Sequence, residues 1–333
     1  MKVLVTGGAG FIGSHTVVAL IENGFKPIIV DDFRNSEKFI IARLEKICKE
    51  KLVTYDIDCS DYELMEAVFL KEKPQGVIHF AADKSVNESV KDPLKYYHNN
   101  IGSLITILKL ISNYPVKSFV FSSSCTVYGE PDSIPVTETS AIKPAFSPYG
   151  YTKQVCEKLL NDFHHSNKGY SIVLLRYFNP IGAHPSGLIG ELPIGTPNNL
   201  VPYITQAAAG IREKITVFGD TYDTPDGTCI RDYIHVCDLA ESHVLALNYA
   251  DKHLENLVTL NVGTGQGNSV LDVVKTFEKV NELSLNYEIG PKRAGDAPAV
   301  YADNSQIKNV LEWQPKFNLE DALAHAWQWQ QTL

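Results

Sequence analysis

Short apolar runs alternate with amphipathic stretches through the first half of the chain. Residues 3–5, 27–30, 52–57, 76–80, 117–122 and 171–176 are short, apolar and rich in branched side chains, the pattern of strands buried on both faces. Between them, residues 11–22, 38–48, 62–72 and 94–112 carry apolar positions at helical spacing. A further helix is expected to begin at Pro148. Ser147 suits the N-cap, proline suits the first helical position, and Val155, Leu159, Leu160 and Phe163 continue on one apolar face. Strand and helix in strict alternation predict an α/β fold, a doubly wound parallel sheet of the Rossmann type with helices on both faces.

After Arg176 the regularity breaks. Residues 180–200 hold four prolines and four glycines, too long and irregular for an ordinary connection. A helix over 203–210, a strand over 215–218 and a loop over 219–228 follow. A helix over 238–249 and a strand over 258–262 are expected to return to the sheet, and helices over 270–280, 305–311 and 319–330 complete the chain. The division expected is a domain of residues 1–176 and a smaller lobe of residues 177–333 that donates loops to a cleft.

Composition narrows the class. The 333 residues suffice for one large or two ordinary domains, and 44 % apolar with 21 % charged content is that of a globular protein. The net charge is −9, with no cluster of Lys and Arg dense enough for a nucleic-acid groove. Six cysteines, at 48, 59, 125, 156, 229 and 237, form no Cys-x-x-Cys pair and read as reduced thiols. The ten histidines show no metal-ligand spacing; His164-His165, near a helix end, reads as a capping or solvated pair. Residues 1–5 enter directly into a strand pattern, leaving no room for a targeting segment, and no apolar run approaches a membrane span. A cytoplasmic protein without a metal is expected.

Candidate chemistry begins at the end of the first strand. In Thr6-Gly7-Gly8-Ala9-Gly10-Phe11-Ile12-Gly13, the glycines at 7, 10 and 13 fit G-x-x-G-x-x-G, and those at 8, 10 and 13 fit G-x-G-x-x-G. Glycine there permits a tight turn and close approach of backbone to a pyrophosphate, which the helix N-terminus then stabilises. Asp31-Asp32 ends the second strand, 18 residues after Gly13. A carboxylate at that place binds the adenosine ribose hydroxyls and repels a 2′-phosphate, which favours NAD over NADP. Arg34, two residues on, bears on that choice.

Tyr149 and Lys153 lie four apart, one above the other on the helix that begins at Pro148. A free phenol titrates near pH ~10, so a phenolate base at neutral pH needs about three units of help, roughly 4 kcal/mol. The Lys153 ammonium and the positive end of the helix are expected to supply it. Ser122-Ser123-Ser124 closes the fifth strand about 25 residues earlier, where the carboxyl edge of such a sheet meets its ligand.

The Thr-Gly-x-x-Gly-x-x-Gly turn, the serine-ended strand and Tyr-x-x-x-Lys together resemble the extended short-chain dehydrogenase/reductase family. Within it the chain is most similar to the UDP-glucose 4-epimerases. That likeness is carried also by Val77-Ile78-His79-Phe80-Ala81, Tyr177-Phe178-Asn179-Pro180, Pro197-Asn198-Asn199-Leu200 and Arg231-Asp232-Tyr233-Ile234-His235. The resemblance implies interconversion of UDP-galactose and UDP-glucose on tightly held NAD. Tyr149 would remove the proton of the sugar 4-hydroxyl as hydride leaves C4, and the 4-keto sugar would rotate before reduction on its other face. Lys153 would lower the tyrosine pKa and hold the nicotinamide ribose; Ser124 would bond the 4-oxygen.

By the same resemblance NAD would meet Gly7, Gly10, Phe11, Ile12, Gly13, Asp31, Asp32, Phe33, Arg34, Asn35, Ser36, Asp58, Cys59, Phe80, Ala81, Ala82, Lys84, Asn99, Tyr177 and Phe178, besides Ser124, Tyr149 and Lys153. The UDP-hexose would meet Asn179, Asn198, Asn199, Leu200, Thr216, Val217, Phe218, Arg231, Tyr233, Arg293, Asp296 and Val300, with Ser124 and Tyr149. On the residues alone, Arg231 beside Asp232 also reads as a local ion pair, and Asn198-Asn199 as a helix cap. A small residue at Val300 would admit N-acetylated sugars, and a homodimer would form through helix 94–112 and the helix after Tyr149. The rival readings are a nucleotide-sugar 4,6-dehydratase and a non-catalytic NAD sensor. The first needs an acid–base pair where this chain has Cys125-Thr126, and the second has no use for the Tyr–Lys pair.

Overall fold

The computed structural model describes residues 1–293 and 296–333. Strands and helices alternate from the start: β1 (Lys2–Thr6), α1 (Phe11–Glu22), β2 (Lys26–Asp31), α2 (Phe39–Cys48), β3 (Val53–Asp56), α3 (Tyr62–Glu72) and β4 (Gly76–His79). Next come α4 (Val86–Lys91), α5 (Pro93–Tyr96), a π-helical turn at Tyr97–Ile101, α6 (Gly102–Asn113), β5 (Ser118–Ser124), α7 (Pro148–Ser166) and β6 (Ser171–Tyr177). The second half runs β7 (Asn179–Ile181), α8 (Leu200–Ala208), β8 (Ile215–Phe218), β9 (Ile230–Arg231), β10 (Tyr233–His235), α9 (Val236–Lys252) and β11 (Leu257–Val262). It ends with β12 (Asn268–Ser269), α10 (Val270–Asn281), β13 (Tyr287–Gly290), β14 (Ala299–Val300), α11 (Ser305–Leu311) and α12 (Leu319–Gln330).

Seven parallel strands form the central sheet in the order β11-β6-β5-β4-β1-β2-β3. Period-two alternation sends neighbouring side chains to opposite faces. Val3, Val5, Ile29, Ile78, Val120 and Val173 pack on one side with Val17 and Leu20 of α1 and Leu239 and Leu247 of α9. Leu4, Ile28, Val77, Phe119 and Leu174 pack on the other with Val68 and Phe69 of α3, Ile107 of α6 and Leu160 of α7. Both faces are covered, which is why the strands read as unbroken apolar runs. The chain leaves β1 toward β3, then returns to β4 on the other side of β1. That reversal opens a crevice at the carboxyl ends of β1 and β4, where open α/β sheets bind ligands.

Most predicted elements lie within two residues of their observed bounds, and residues 257–262 do join the sheet beside β6. The helix expected over 94–112 is interrupted. Its wider turn at Tyr97–Ile101 brings the Asn100 side chain onto the backbone of Asp83, accepting from its N–H at 2.8 Å and donating to its carbonyl at 3.0 Å. Such turns recur at functional sites. A separate apolar cluster of Ile181, Ile204, Val273, Phe277 and Leu323 packs α8, α10 and α12 together beyond the sheet.

Candidate active site

The glycine turn is built as its sequence demands. Gly7 sits at φ +70° and its N–H donates to the Val30 carbonyl at 2.7 Å, binding the turn to the next strand. A Cβ at Gly13 would stand 2.1 Å from the Gly7 carbonyl oxygen, so no other residue fits. Gly10 occupies the N-cap of α1 without a side chain to cap it, and the N–H groups of the first turn face the crevice mouth as anion donors. Asp31, 8 % exposed, closes the far side: it accepts from Ala9 N at 2.9 Å, Phe33 N at 3.0 Å and Ser36 Oγ at 2.8 Å. Burial raises its pKa, against those three hydrogen bonds. Arg34 is held by Asp32 and Asp58 and donates to Asn99 Oδ1 at 3.2 Å, so its charge is already matched by two carboxylates. These residues fit a dinucleotide whose ribose carries no phosphate.

β5 runs two residues beyond its expected end, which puts Ser124 on the last rung, opposite Tyr177 of β6. Ser124 Oγ accepts from Thr126 N at 3.2 Å and Thr126 Oγ1 at 3.0 Å. Ser147 caps α7 as expected, accepting from Gly150 N at 3.2 Å, with Pro148 in the first turn. Tyr149 and Lys153 project from that helix toward the ends of β5 and β6. Lys153, 4 % exposed, donates to the Ser122 carbonyl at 2.7 Å and stands 5.0 Å from the Phe121 ring centre and 6.0 Å from that of Tyr149.

One expectation changes here. Lys153 is not among the groups that lower the Tyr149 pKa; burial pushes the phenol up to about 12, against a downward pull from Ser124. The same burial brings Lys153 down to about 8.

Glu157, one turn beyond Lys153, was not foreseen. It accepts from Ser123 Oγ at 2.5 Å and forms a buried pair with Arg176, whose Nε and Nη2 donate at 2.9 and 2.6 Å. Arg176 reaches Tyr128 Oη at 3.0 Å, and Tyr128 donates to Asn261 Oδ1 at 2.6 Å. This chain ties α7 to β5, β6 and β11 and so fixes the register of Tyr149 and Lys153. Its trace in the sequence is Tyr149, Lys153 and Glu157 at successive fourth positions. Asn100, which also donates to Thr152 Oγ1 at 3.1 Å, anchors the other side of α7.

Across the crevice, Asn179 opens β7, its N–H donating to the Asp232 carbonyl at 2.9 Å. Asn199 takes the N-cap position of α8, but among the described residues its side chain accepts no hydrogen bond from the helix, and its amide donates to Glu191 Oε1 at 2.7 Å. Thr216 and Phe218 share one face of β8; Val217 points into the core and offers a ligand only its backbone. The Arg293 guanidinium lies 3.9 Å from the Phe218 ring centre. Arg231 does not pair with Asp232. Its guanidinium donates to the carbonyls of Ile230 and Ala297, both at 2.8 Å, and to Asp296 at 3.3 Å. Asp232 faces away and accepts from Thr264 N and Oγ1, Gly265 N and Ala302 N at 2.6–3.1 Å. Val300 of β14, paired with Arg231 of β9, packs against the buried cluster that includes Tyr128 and Phe178. Tyr233 is buried under α8 and α12, and Leu200 packs against the same cluster.

A phosphate turn at the first strand and a Tyr–Lys helix at the fifth are the plan of the extended short-chain dehydrogenases/reductases. The protein-family model described as GDP-mannose 4,6 dehydratase matches residues 4–326. The chain is 47 % identical to UDP-glucose 4-epimerase of Bacillus subtilis, over 99 % of this chain and 97 % of that one. It superposes on UDP-glucose-4-epimerase of Stenotrophomonas maltophila with bound NAD and formylated UDP-arabinopyranose at a TM-score of 0.97, with 46 % identity, covering 100 % and 98 % of the two chains. It matches the Bifidobacterium longum enzyme in complex with NAD+ and UDP at a TM-score of 0.96 and 44 % identity, with the same coverage. The chain belongs to the UDP-glucose 4-epimerases of the extended short-chain dehydrogenase/reductase family.

Proposed function

We propose that this protein interconverts UDP-galactose and UDP-glucose at C4, with NAD held in the crevice between β1 and β4. The observation that carries the reading is Ser124, Tyr149 and Lys153 converging at the carboxyl edge of the sheet that begins with the phosphate turn. When bound, NAD supplies the hydride acceptor and donor, so the net reaction needs no outside oxidant or reductant. Tyr149 takes the proton from the sugar 4-hydroxyl and returns one when the opposite face is reduced. Ser124 steadies the 4-oxygen. Lys153 stands beside both, its Nζ 6.0 Å from the Tyr149 ring centre. Burial holds the phenol at about 12, so a base at neutral pH needs favourable charge beyond what the protein side chains supply, and the bound ligands would bring it.

Arg231 and Arg293 are planar donors suited to the diphosphate of the sugar nucleotide, with Asn179 and Asn199 at its flanks. Anchoring through the nucleotide leaves the hexose free to present either face. Residues 1–176 serve mainly the cofactor and residues 177–333 mainly the sugar nucleotide. A dehydratase is disfavoured because the residues after Ser124 are Cys125 and Thr126, neither a carboxylate, and Cys125 is half-buried with its thiol pushed up to about 12. Val300, a small wall residue, supports turnover of UDP-N-acetylglucosamine and its galacto epimer as well.

The chain forms a homodimer through the helical residues 94–112 and α7. Leu94, Ile105 and Tyr151 are exposed on those elements, and Tyr97 and Tyr151 meet edge-on at 6.2 Å between ring centres. Among the described residues no helix is long and apolar enough to cross a membrane. The free cysteines favour a cytoplasmic setting. Incubating the purified protein with UDP-galactose, NAD omitted, tests the reading.

A further inference from the structure

One carboxylate oxygen joins the two sides of the site. Glu191 Oε1 accepts from Lys84 Nζ at 3.0 Å and from Asn199 Nδ2 at 2.7 Å, and the Glu191 side chain is only 8 % exposed. Lys84 follows β4 and stands 6.0 Å from the ring centre of Phe11, which opens the helix of the phosphate turn. Asn199 opens α8 on the sugar-nucleotide side. Beside this shared acceptor, Asn198 Nδ2 donates to Ser85 Oγ at 3.3 Å and Asn87 Nδ2 to Asn198 Oδ1 at 3.4 Å, lacing the two segments together. Glu191 is also fixed from behind. Trp329 Nε1 donates to its carbonyl at 3.0 Å, and the indole fills the space a Cβ on Gly190 would need, 2.5 Å away.

We propose that Glu191 is a positioning residue that couples the two ligands, so that a nucleotide on the sugar side slows the loss of NAD. The inference rests on the function proposed above. An oxygen shared between two donors holds each less firmly than it would hold one. When a nucleotide diphosphate engages the Asn199 amide, Oε1 is left to Lys84. The ammonium is then kept at the phosphate turn by an undivided charge-assisted bond. Linkage makes the effect reciprocal, so NAD tightens UDP binding by the same factor.

Exchange of radiolabelled NAD from the holoenzyme, measured with and without saturating UDP, tests this. UDP should slow exchange about fivefold or more in the natural protein. Glu191→Gln keeps the size and an acceptor oxygen but not the charge that holds Lys84, and its ratio of rates should fall to about one. Lys84→Met should lose the ratio in the same way, which provides a second test if Glu191→Gln does not fold. A general loss of stability moves both rates and leaves their ratio alone. A natural protein whose ratio is one, or a Glu191→Gln variant that keeps the natural ratio, overturns the coupling. If UDP-galactose is still converted, it overturns the coupling alone; a holoenzyme that binds no UDP overturns the underlying function too.

Discussion

Lys153 stands 6.0 Å from the ring centre of Tyr149 and gives its hydrogen bond to the Ser122 carbonyl, at 2.7 Å. The pair is thus assembled but not engaged. Burial pushes the phenol up to about 12 and the ammonium down to about 8, so these two side chains alone do not make Tyr149 a base at neutral pH. Each pKa unit recovered requires about 1.4 kcal/mol of interaction that favours the phenolate. In protein stripped of NAD, ¹³C-tyrosine NMR should show the Tyr149 resonance, assigned with Tyr149→Phe, unchanged up to about pH 10. Reloading NAD should bring its titration several units lower. A titration that ignores NAD would place the missing charge elsewhere.

Arg34 is a cation beside the expected ribose site, and Asp32 and Asp58 both hold it. Neutralising those carboxylates in Asp32→Asn/Asp58→Asn frees the guanidinium for a 2′-phosphate. NADP binding to the variant should tighten about tenfold relative to NAD, the worth of one charge-assisted bond at the low end. Calorimetric titration with both cofactors measures it. An unchanged preference would leave discrimination with Asp31 alone.

The main sheet was legible because buried strands and amphipathic helices leave periodic signals, and the cap at Ser147 has a local signature. What escaped depends on partners far apart in the chain. The two- and three-residue pairings of Asn179–Ile181 with Tyr233–His235, and of Ile230–Arg231 with Asn268–Ser269 and Ala299–Val300, are too short to show a period. Arg231 and Asp232 are adjacent in sequence but diverge, Arg231 to Asp296 and Asp232 to the 264–265 turn. Glu191 and Asn100 carry no motif at all; the donors to Glu191, Asn199 and Lys84, lie 8 and 107 residues away, and the acceptors of Asn100, in Asp83 and Thr152, lie 17 and 52 away.

Val300 packs against the buried cluster that includes Tyr128 and Phe178, as does Cys125, the residue after Ser124. The natural protein should turn over UDP-N-acetylglucosamine, and Val300→Tyr should lose that activity while keeping UDP-glucose turnover within about tenfold, since a bulky wall costs only the larger sugar. Coupled assays on both sugars decide it. No detectable turnover of the acetylated sugar by the natural protein, at levels that saturate with UDP-glucose, would refute the assignment.

Burial holds His15, His79 and His235 at pKa values of about 3 and His243 at about 4, against 6.5 for an ordinary histidine. Between those limits the unfolded chain binds protons that the folded one refuses, so stability falls as pH drops below about 6.5. Each such histidine contributes about 1.4 kcal/mol of loss per pH unit. Buried carboxylates such as Asp31 and Asp232, raised by desolvation, work in the opposite sense, which favours comparing proteins that differ at one histidine. Urea unfolding at pH 7.0 and 5.5 should show a loss on acidification that is smaller in His243→Gln by about 1.4 kcal/mol. An equal loss would remove His243 from the account.

The most direct measurement is a single incubation of the purified protein with UDP-galactose and no added NAD, followed by analysis of the sugar nucleotides, with Tyr149→Phe alongside. UDP-glucose should accumulate to equilibrium with the natural protein, and the variant should lose at least about a hundredfold in rate while retaining its NAD. A 4-keto-6-deoxy product, no conversion at all, or substantial turnover by Tyr149→Phe would contradict a C4 epimerase that works through this tyrosine.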